Sequence, residues 1–70
     1  MNNHDIWRKR EAELLQEAKK IYKESKDFDS SIDLDSAGSE VYDLMNEDDW
    51  KKFRIVESKV KKKYKKLFNK

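Results

Sequence analysis

The sequence predicts an all-α fold with three helices in the order long, short, long, forming a small helical bundle or a hairpin with a short covering helix. Composition is the first observation behind this prediction. The 70 residues include no proline and a single glycine, a profile that favours helix over sheet. The second observation is that apolar residues recur at helical spacing near both ends of the chain. This length supports one domain, residues 1–70, since a separate core needs about 40 residues.

The first predicted helix covers about residues 5–26, a segment without proline or glycine. At about 100° per residue, five apolar side chains fall within about 60° of Trp7. These are Leu14, Ala18, Ile21, Tyr22 and Phe28. We expect Trp7, Leu14 and Ile21 to be buried, because they form the centre of this stripe.

An acidic loop is predicted over about residues 27–35, where Asp and Ser alternate with Phe28, Ile32 and Leu34. Short polar side chains compete with helix formation by bonding to the nearby backbone, so we expect a loop that tucks in these apolar groups. A short second helix is predicted over about residues 36–45, since its apolar residues can share one face. They are Val41, Leu44 and Met45.

The third predicted helix covers about residues 47–68. Asn46 is a favourable N-cap residue, and the three acidic residues that follow it suit the positive end of a helix dipole. An apolar stripe within about 60° of Phe53 continues along this helix. The stripe residues expected to be buried are Phe53, Val56, Val60 and Leu67. Nearly all of the remaining arc is lysine, with Ile55 as its one large apolar residue.

Helix length predicts how these elements pack. A compact chain of 70 residues has a radius of gyration near 11 Å and a width of about 28 Å, whereas a helix of 22 residues reaches about 33 Å. The two long helices must therefore lie side by side, with the short helix over the groove between them. Parallel and antiparallel packing both remain open at this point.

Charge is segregated along the chain, although the formal net charge is only +2. Residues 1–26 carry +2, residues 27–49 carry −9 with no basic residue, and residues 50–70 carry +9. Ordinary solvated surfaces mix both signs. The segregation suggests surfaces that choose partners by charge, and because the core is thin, self-association through oppositely charged segments is also expected.

The sequence offers little for catalysis. With no cysteine there can be no disulfide, thiolate metal site or thiol nucleophile, and a cytoplasmic location is favoured. The single histidine, His4, lies near a chain end, and one glycine cannot build a phosphate-binding loop. We therefore predict that the protein is not an enzyme and has no cofactor and no small-molecule substrate.

A metal site is also not predicted, although one spacing resembles a calcium loop. Five residues occupy ligand positions of such a loop: Asp29, Ser31, Asp33, Asp35 and Glu40. Leu34 stands where the loop requires glycine to turn the chain. A capping loop rich in Asp and Ser is the simpler interpretation.

The candidate partner-binding residues lie on the lysine-rich arc of the third helix. They are Arg54, Ile55, Lys51, Lys59, Lys62 and Lys66. Like charges four residues apart repel one another, so a negatively charged partner could relieve the repulsion within this helix. The helix dipole, the chain's own acidic segment or simple solvation could also do so. Arg54 beside an exposed Ile55 would suit the centre of a protein interface, whereas contact with the second helix would instead bury Ile55.

The sequence therefore predicts a small non-enzymatic interaction or regulatory protein that binds a larger protein, or its own copy, through charge-segregated surfaces. The alternative is a nucleic-acid-binding protein that contacts phosphates with little base specificity, because lysine outnumbers arginine 14 to 3. A membrane partner is not predicted. No apolar run approaches the roughly 18 residues that a membrane span needs.

Overall fold

The computed structural model describes residues 3–68. Within that range it contains three helices and no strand: α1 (Asn3–Lys23), α2 (Glu40–Leu44) and α3 (Glu47–Phe68). The long, short, long order and the all-α class are confirmed. The bounds of α3 coincide with the predicted ones, whereas α2 is shorter than predicted.

The two long helices form an antiparallel hairpin. The Arg10 guanidinium lies 5.4 Å from the ring centre of Phe68, near the start of α1 and the end of α3. At the other end, Lys26 Nζ lies 3.8 Å from an Asp48 carboxylate oxygen. The direction of packing, which the sequence left open, is settled by these contacts.

The core lies between the helices and beneath the segment that connects them. Its buried members come from all three helices and from the residue that follows α2. They are Leu14, Ala18, Tyr22, Val41, Met45, Phe53 and Val60. The predicted loop does tuck in its apolar residues, since Phe28, Ile32 and Leu34 pack against this cluster. α2 covers the groove through Tyr42, whose ring stacks on Trp50 and meets Phe53 edge-on.

Polar side chains explain why α2 is short. The Asp33 carboxylate accepts hydrogen bonds from the Asp35 backbone N–H and the Ser36 hydroxyl. These local bonds hold the chain in turns up to Ser36, the residue at which the second helix was predicted to begin. Ser39, at the start of α2, makes no side-chain cap hydrogen bond.

A reciprocal pair of hydrogen bonds holds the start of α3. The Asp49 N–H donates to Asn46 Oδ1 at 2.8 Å, and the Asn46 N–H donates to Asp49 Oδ2 at 3.2 Å. This is a capping box, which satisfies two backbone donors at a helix start. The Asn46 side chain also donates to Asp27 Oδ2 at 2.6 Å, so the same residue ties the acidic loop to α3.

Burial of two stripe residues was predicted wrongly. Trp7 is 48% exposed and Leu67 is 38% exposed, while Ile21 and Val56 are only half-buried. The connecting segment covers the end of the hairpin where α1 finishes and α3 begins. Trp7 and Leu67 lie at the opposite end, which this segment does not reach within residues 3–68, although Ile6 of the same end is buried.

The molecule is flatter and longer than the sequence predicted. Its principal dimensions are 42 × 23 × 14 Å and its radius of gyration is 13.3 Å, compared with about 11 Å for a compact chain of this length. α3 alone spans about 33 Å, whereas the five-residue α2 spans only about 7 Å. The short helix therefore thickens only part of the hairpin.

Candidate functional site

The predicted partner-binding residues all lie on the outward half of α3. At about 100° per residue, five side chains from Lys51 onward point within about 40° of the direction opposite Phe53, and Asp48 precedes them in the same direction. We call them the outer ridge: Lys51, Ile55, Ser58, Lys62 and Lys66. Two basic flanks border this ridge. The first flank is Lys52, Lys59 and Lys63, and the second flank is Arg54, Lys61 and Lys65. All eleven residues of the ridge and flanks are exposed.

The ridge extends along most of α3. From Lys51 to Lys66 it runs for about 22 Å, because each helical residue rises about 1.5 Å. Four of the six predicted site residues fall on the ridge, while Lys59 and Arg54 fall on opposite flanks. Sequence reasoning did not single out Ser58 or the other flank lysines, although the same helical projection places them here.

Only two cations of α3 are paired within residues 3–68. Lys63 Nζ donates to Glu13 of α1 at 2.9 Å, and Lys61 lies 3.6 Å from Glu57. This hydrogen bond to Glu13, followed by the negative charge of Glu13, raises the pKa of Lys63. The other seven basic residues of α3 make no ion pair in the described part of the chain. They are Lys51, Lys52, Arg54, Lys59, Lys62, Lys65 and Lys66.

The acidic segment does not neutralise these seven cations. Asp29 accepts hydrogen bonds from Ser31, and Asp33 accepts one from the Ser36 hydroxyl, which lowers the pKa of both carboxyls. Lys19 of α1 is the cation that adds to the lowering at Asp33. Among residues 3–68, the only ion pair of the acidic segment joins Asp48 to Lys26. Neutralisation by the chain's own acidic segment therefore does not account for the lysine arc.

The helix dipole explains only part of the arc. It favours cations in the last turn of a helix, where Lys65 and Lys66 lie. Lys51 and Lys52 lie near the opposite, positive end of α3, where cations gain nothing from the dipole. The cations near the start of α3 therefore lack both an internal partner and a favourable helix end.

Ile55 is the largest apolar group on this basic surface. It is 62% exposed and does not belong to the core or to the residues packed against it. The alternative interpretation, in which the second helix covers Ile55, is therefore wrong. Its helical neighbours, three and four residues away, include Lys51, Lys59 and Ser58. An apolar side chain thus sits in the middle of a cationic face.

Two clefts lie elsewhere on the molecule. The larger, about 330 Å³, separates α1 from the acidic loop and has Phe28, Ile32 and Leu34 on one side and lysines of α1 on the other. The smaller, about 290 Å³, is lined mainly by polar residues between Lys26 and the start of α3. Neither cleft includes any of the six predicted site residues.

The structure gives three further observations. Within residues 3–68, no group of three or more His, Cys, Asp or Glu side chains is placed to hold a metal ion. His4 stacks on Trp7 with ring centres 6.5 Å apart. No helix in the described range is long and apolar enough to cross a membrane.

Comparison with known proteins finds no matching family model, no matching curated protein and no matching solved structure.

Proposed function

We propose that this chain is a non-catalytic interaction protein that binds a larger protein through the outer ridge of α3 and its flanks. The observation that carries this proposal is the exposed Ile55 among seven unpaired cations. Apolar side chains and arginine are typical of the centres of protein interfaces, while charged residues belong to their rims. Ile55 and Arg54 would form the centre, with lysines around them.

The chemistry of the partner follows from this arrangement. An acidic surface with an apolar depression would accept Ile55 and pair with the surrounding cations. Complementary charge also speeds the encounter and discriminates against basic partners. Lysine at the rim mainly adds steering, because exposed ion pairs contribute only about 0–1 kcal/mol each.

Asp33, a carboxyl of the larger cleft, is not suited to act as a general acid. Asp33 lines the larger cleft, and its hydrogen bond from Ser36 lowers its pKa. A general acid at neutral pH needs the opposite shift, which burial would supply. Asp33 instead remains charged and serves to hold the turn.

A second candidate, nucleic-acid binding, is favoured by the two basic flanks. A helix that enters the major groove, about 12 Å wide, can place residues on both sides against the two phosphate rows. The first and second flanks of α3 have this arrangement around the outer ridge. Glu47 and Asp48 at the start of the helix are exposed and would be repelled, so phosphate contact by lysine with little base choice is the expected mode.

The test of the leading proposal is capture by the tagged full chain from extracts, with and without nuclease. We expect a captured protein that survives nuclease and is lost with Ile55→Ser. Leu67→Ser is the matched control, because it also truncates an exposed apolar residue of α3 but lies outside the ridge and flanks. Equal loss with both variants, or loss on nuclease treatment alone, would contradict the proposal.

The second candidate is tested by the salt dependence of duplex DNA binding. Five phosphate contacts would give a slope of log affinity against log salt near −4.5. Replacing Lys59, Lys62 and Lys66 by Gln should then reduce that slope by about three units. Replacing Lys19, Lys20 and Lys23 of α1 removes the same charge elsewhere and serves as the control. No binding at about 50 mM salt would reject this candidate.

A further inference from the structure

One side of the hairpin is not covered by α2 or the acidic loop, and we call it the open side. On α3, Tyr42 packs against Trp50 and Phe53, and the half-buried Val56 lies on the other side of the stripe. Glu13 of α1 reaches α3 on that same other side, where it meets Lys63. The open side therefore runs along the first flank of α3.

Opposite charges line the two edges of the open side. By helical projection, α1 and the turn after it place Glu13, Glu17 and Glu24 on one edge, which we call the acidic row. The first flank, Lys52, Lys59 and Lys63, forms the other edge. Because the helices are antiparallel and Glu13 lies level with Lys63, equal steps along the chain bring Glu17 level with Lys59 and Glu24 level with Lys52.

Only one of these three pairs of residues at the same level forms an ion pair within the chain. Glu13 and Lys63 are 2.9 Å apart, whereas Glu17 has Lys20 as its partner at 3.8 Å. Glu24, Lys52 and Lys59 make no ion pair among residues 3–68. Three of these six charges, Glu24, Lys52 and Lys59, are thus available to another molecule, and Glu17 is held only by an exposed lysine of its own helix.

We propose that a second copy of this chain covers the open side, with a two-fold axis parallel to the long helices. This axis places the acidic row of each copy over the first flank of the other at the same level, and forms a bundle of four long helices. A two-fold axis across the helices would instead place like-charged rows over each other. Charge therefore selects one of the two face-to-face arrangements.

The shape of the molecule also supports a second copy of the chain as the occupant of the open side. Where α2 and the connecting segment do not reach, the hairpin is a single layer of two helices, and the shortest dimension of the molecule is 14 Å. Helical domains usually bury a second layer. The broad face measures 42 × 23 Å, enough for the roughly 800 Å² that each partner buries in a typical specific interface. The accessible surface of 5405 Å² also exceeds the roughly 4,700 Å² usual for a monomer of this mass.

The inference is independent of the proposed function in its central residues. Ile55 and Lys62 point away from the hairpin and remain exposed in such a dimer. Lys59 belongs to both surfaces, so the two tests use different variants: Ile55→Ser for partner capture, and changes at Glu17 and Lys59 for self-association.

The experiment is sedimentation equilibrium of the full chain at about 20 mM and about 500 mM salt, since salt screens a charge-driven interface. We expect the mass at about 300 μM protein to rise from 8.5 kDa toward twice that value at low salt, and to fall back at high salt. Glu17→Lys and Lys59→Glu should each weaken self-association by about tenfold or more, because each sets like charges opposite one another.

Mixing these two variants separates contacts between copies from contacts within one chain. A Glu17→Lys chain facing a Lys59→Glu chain restores opposite charges at both symmetry-related contacts, so the mixture should associate about as well as wild type. Circular dichroism of each variant checks that the helices remain folded.

Glu40→Lys is the matched control, because Glu40 is exposed in the acidic segment and lies outside the acidic row. We expect it to leave self-association unchanged. A wild-type monomer at low salt would overturn the proposal. Weakening by Glu40→Lys equal to that by Glu17→Lys, or failure of the mixture to associate, would overturn it as well.

Discussion

Burial differs sharply between two leucines in the apolar stripes of the long helices. Leu14 is 3% exposed in the core, whereas Leu67 lies 38% exposed at the end of the hairpin that α2 does not reach. Leu14 belongs to the core cluster, which includes side chains from all three helices, whereas Leu67 does not belong to that cluster. The free energy of unfolding should therefore depend strongly on Leu14 and only weakly on Leu67.

We expect Leu14→Ala to lower the free energy of unfolding by about 2–4 kcal/mol, because it removes buried methyl groups and leaves a cavity. Leu67→Ala should cost less than about 1 kcal/mol, since its side chain is partly solvated already. Urea denaturation followed by circular dichroism measures both. Similar midpoints for the two variants would mean that the core lies elsewhere.

At the scale of single elements, the capping box holds the start of α3. Asn46 accepts from the Asp49 N–H and donates to Asp27, so it joins the helix start to the acidic loop. The Asp49 side chain is buried at this junction. Loss of the Asn46 side chain would leave the Asp49 N–H without its hydrogen-bond acceptor and would remove the bond to Asp27 of the acidic loop.

Asn46→Ala should destabilise the protein by about 1–2 kcal/mol, as expected for the loss of an N-cap side chain. Asn46→Ser retains an oxygen that can accept the Asp49 N–H and should cost less. Thermal unfolding at equal salt compares the two variants. If alanine and serine gave the same transition temperature, the cap would not contribute to stability.

The acidic loop should make stability depend on pH. Hydrogen bonds from Ser31 and Ser36 lower the pKa of Asp29 and Asp33 in the folded chain. A carboxyl whose folded pKa is depressed stabilises the fold above its unfolded pKa, and this contribution is lost as pH falls through the folded pKa. Stability should thus decline below about pH 4, where unperturbed aspartates titrate.

The double variant Ser31→Ala, Ser36→Ala tests this dependence. Without the two hydroxyl donors, the pKa values of Asp29 and Asp33 should return toward their ordinary range, and the loss of stability between pH 5 and pH 2 (approximate limits) should become smaller. Chemical denaturation across this range provides the measurement. An unchanged pH profile would assign the acid sensitivity to other carboxyls.

At the scale of the whole molecule, the elongated shape and the separation of opposite charges both follow from the limited length of the connecting segment. The connecting segment is long enough to cover one end of a hairpin but not its full length, so the chain is elongated. Elongation keeps the cations of α3 on the outside and the acidic segment at one end. The chain consequently has two unlike charged surfaces, and no ion pair in the described residues joins a cation of α3 to the acidic segment.

Small-angle scattering at about 500 mM salt, where charge-driven association is screened, should give a radius of gyration near the 13.3 Å of the Cα atoms. A compact chain of this length would give about 11 Å. The larger value follows from helices about 33 Å long in a molecule with partial cover. A value near 11 Å would show that the hairpin folds more tightly in solution.

The sequence by itself determined the features that depend on neighbouring residues. Asn46 and the acidic turn after it place the start of α3, because a cap requires only a side chain within three residues of the backbone it satisfies. The Asp and Ser residues of the loop likewise act on their own backbone. The lysine arc follows from helical spacing alone, so the exposure of its basic residues could be predicted, whereas that of Ile55 was left open.

Only the tertiary structure decided which parts of each stripe are covered. Helical spacing gives Leu14 and Trp7 the same direction, but burial depends on what lies above them, and the connecting segment reaches only Leu14. Tertiary packing also decided that the hairpin is antiparallel and that Glu17 lies level with Lys59. These relations join residues far apart in the chain, so local spacing cannot specify them, and they depend on how the two helices pack.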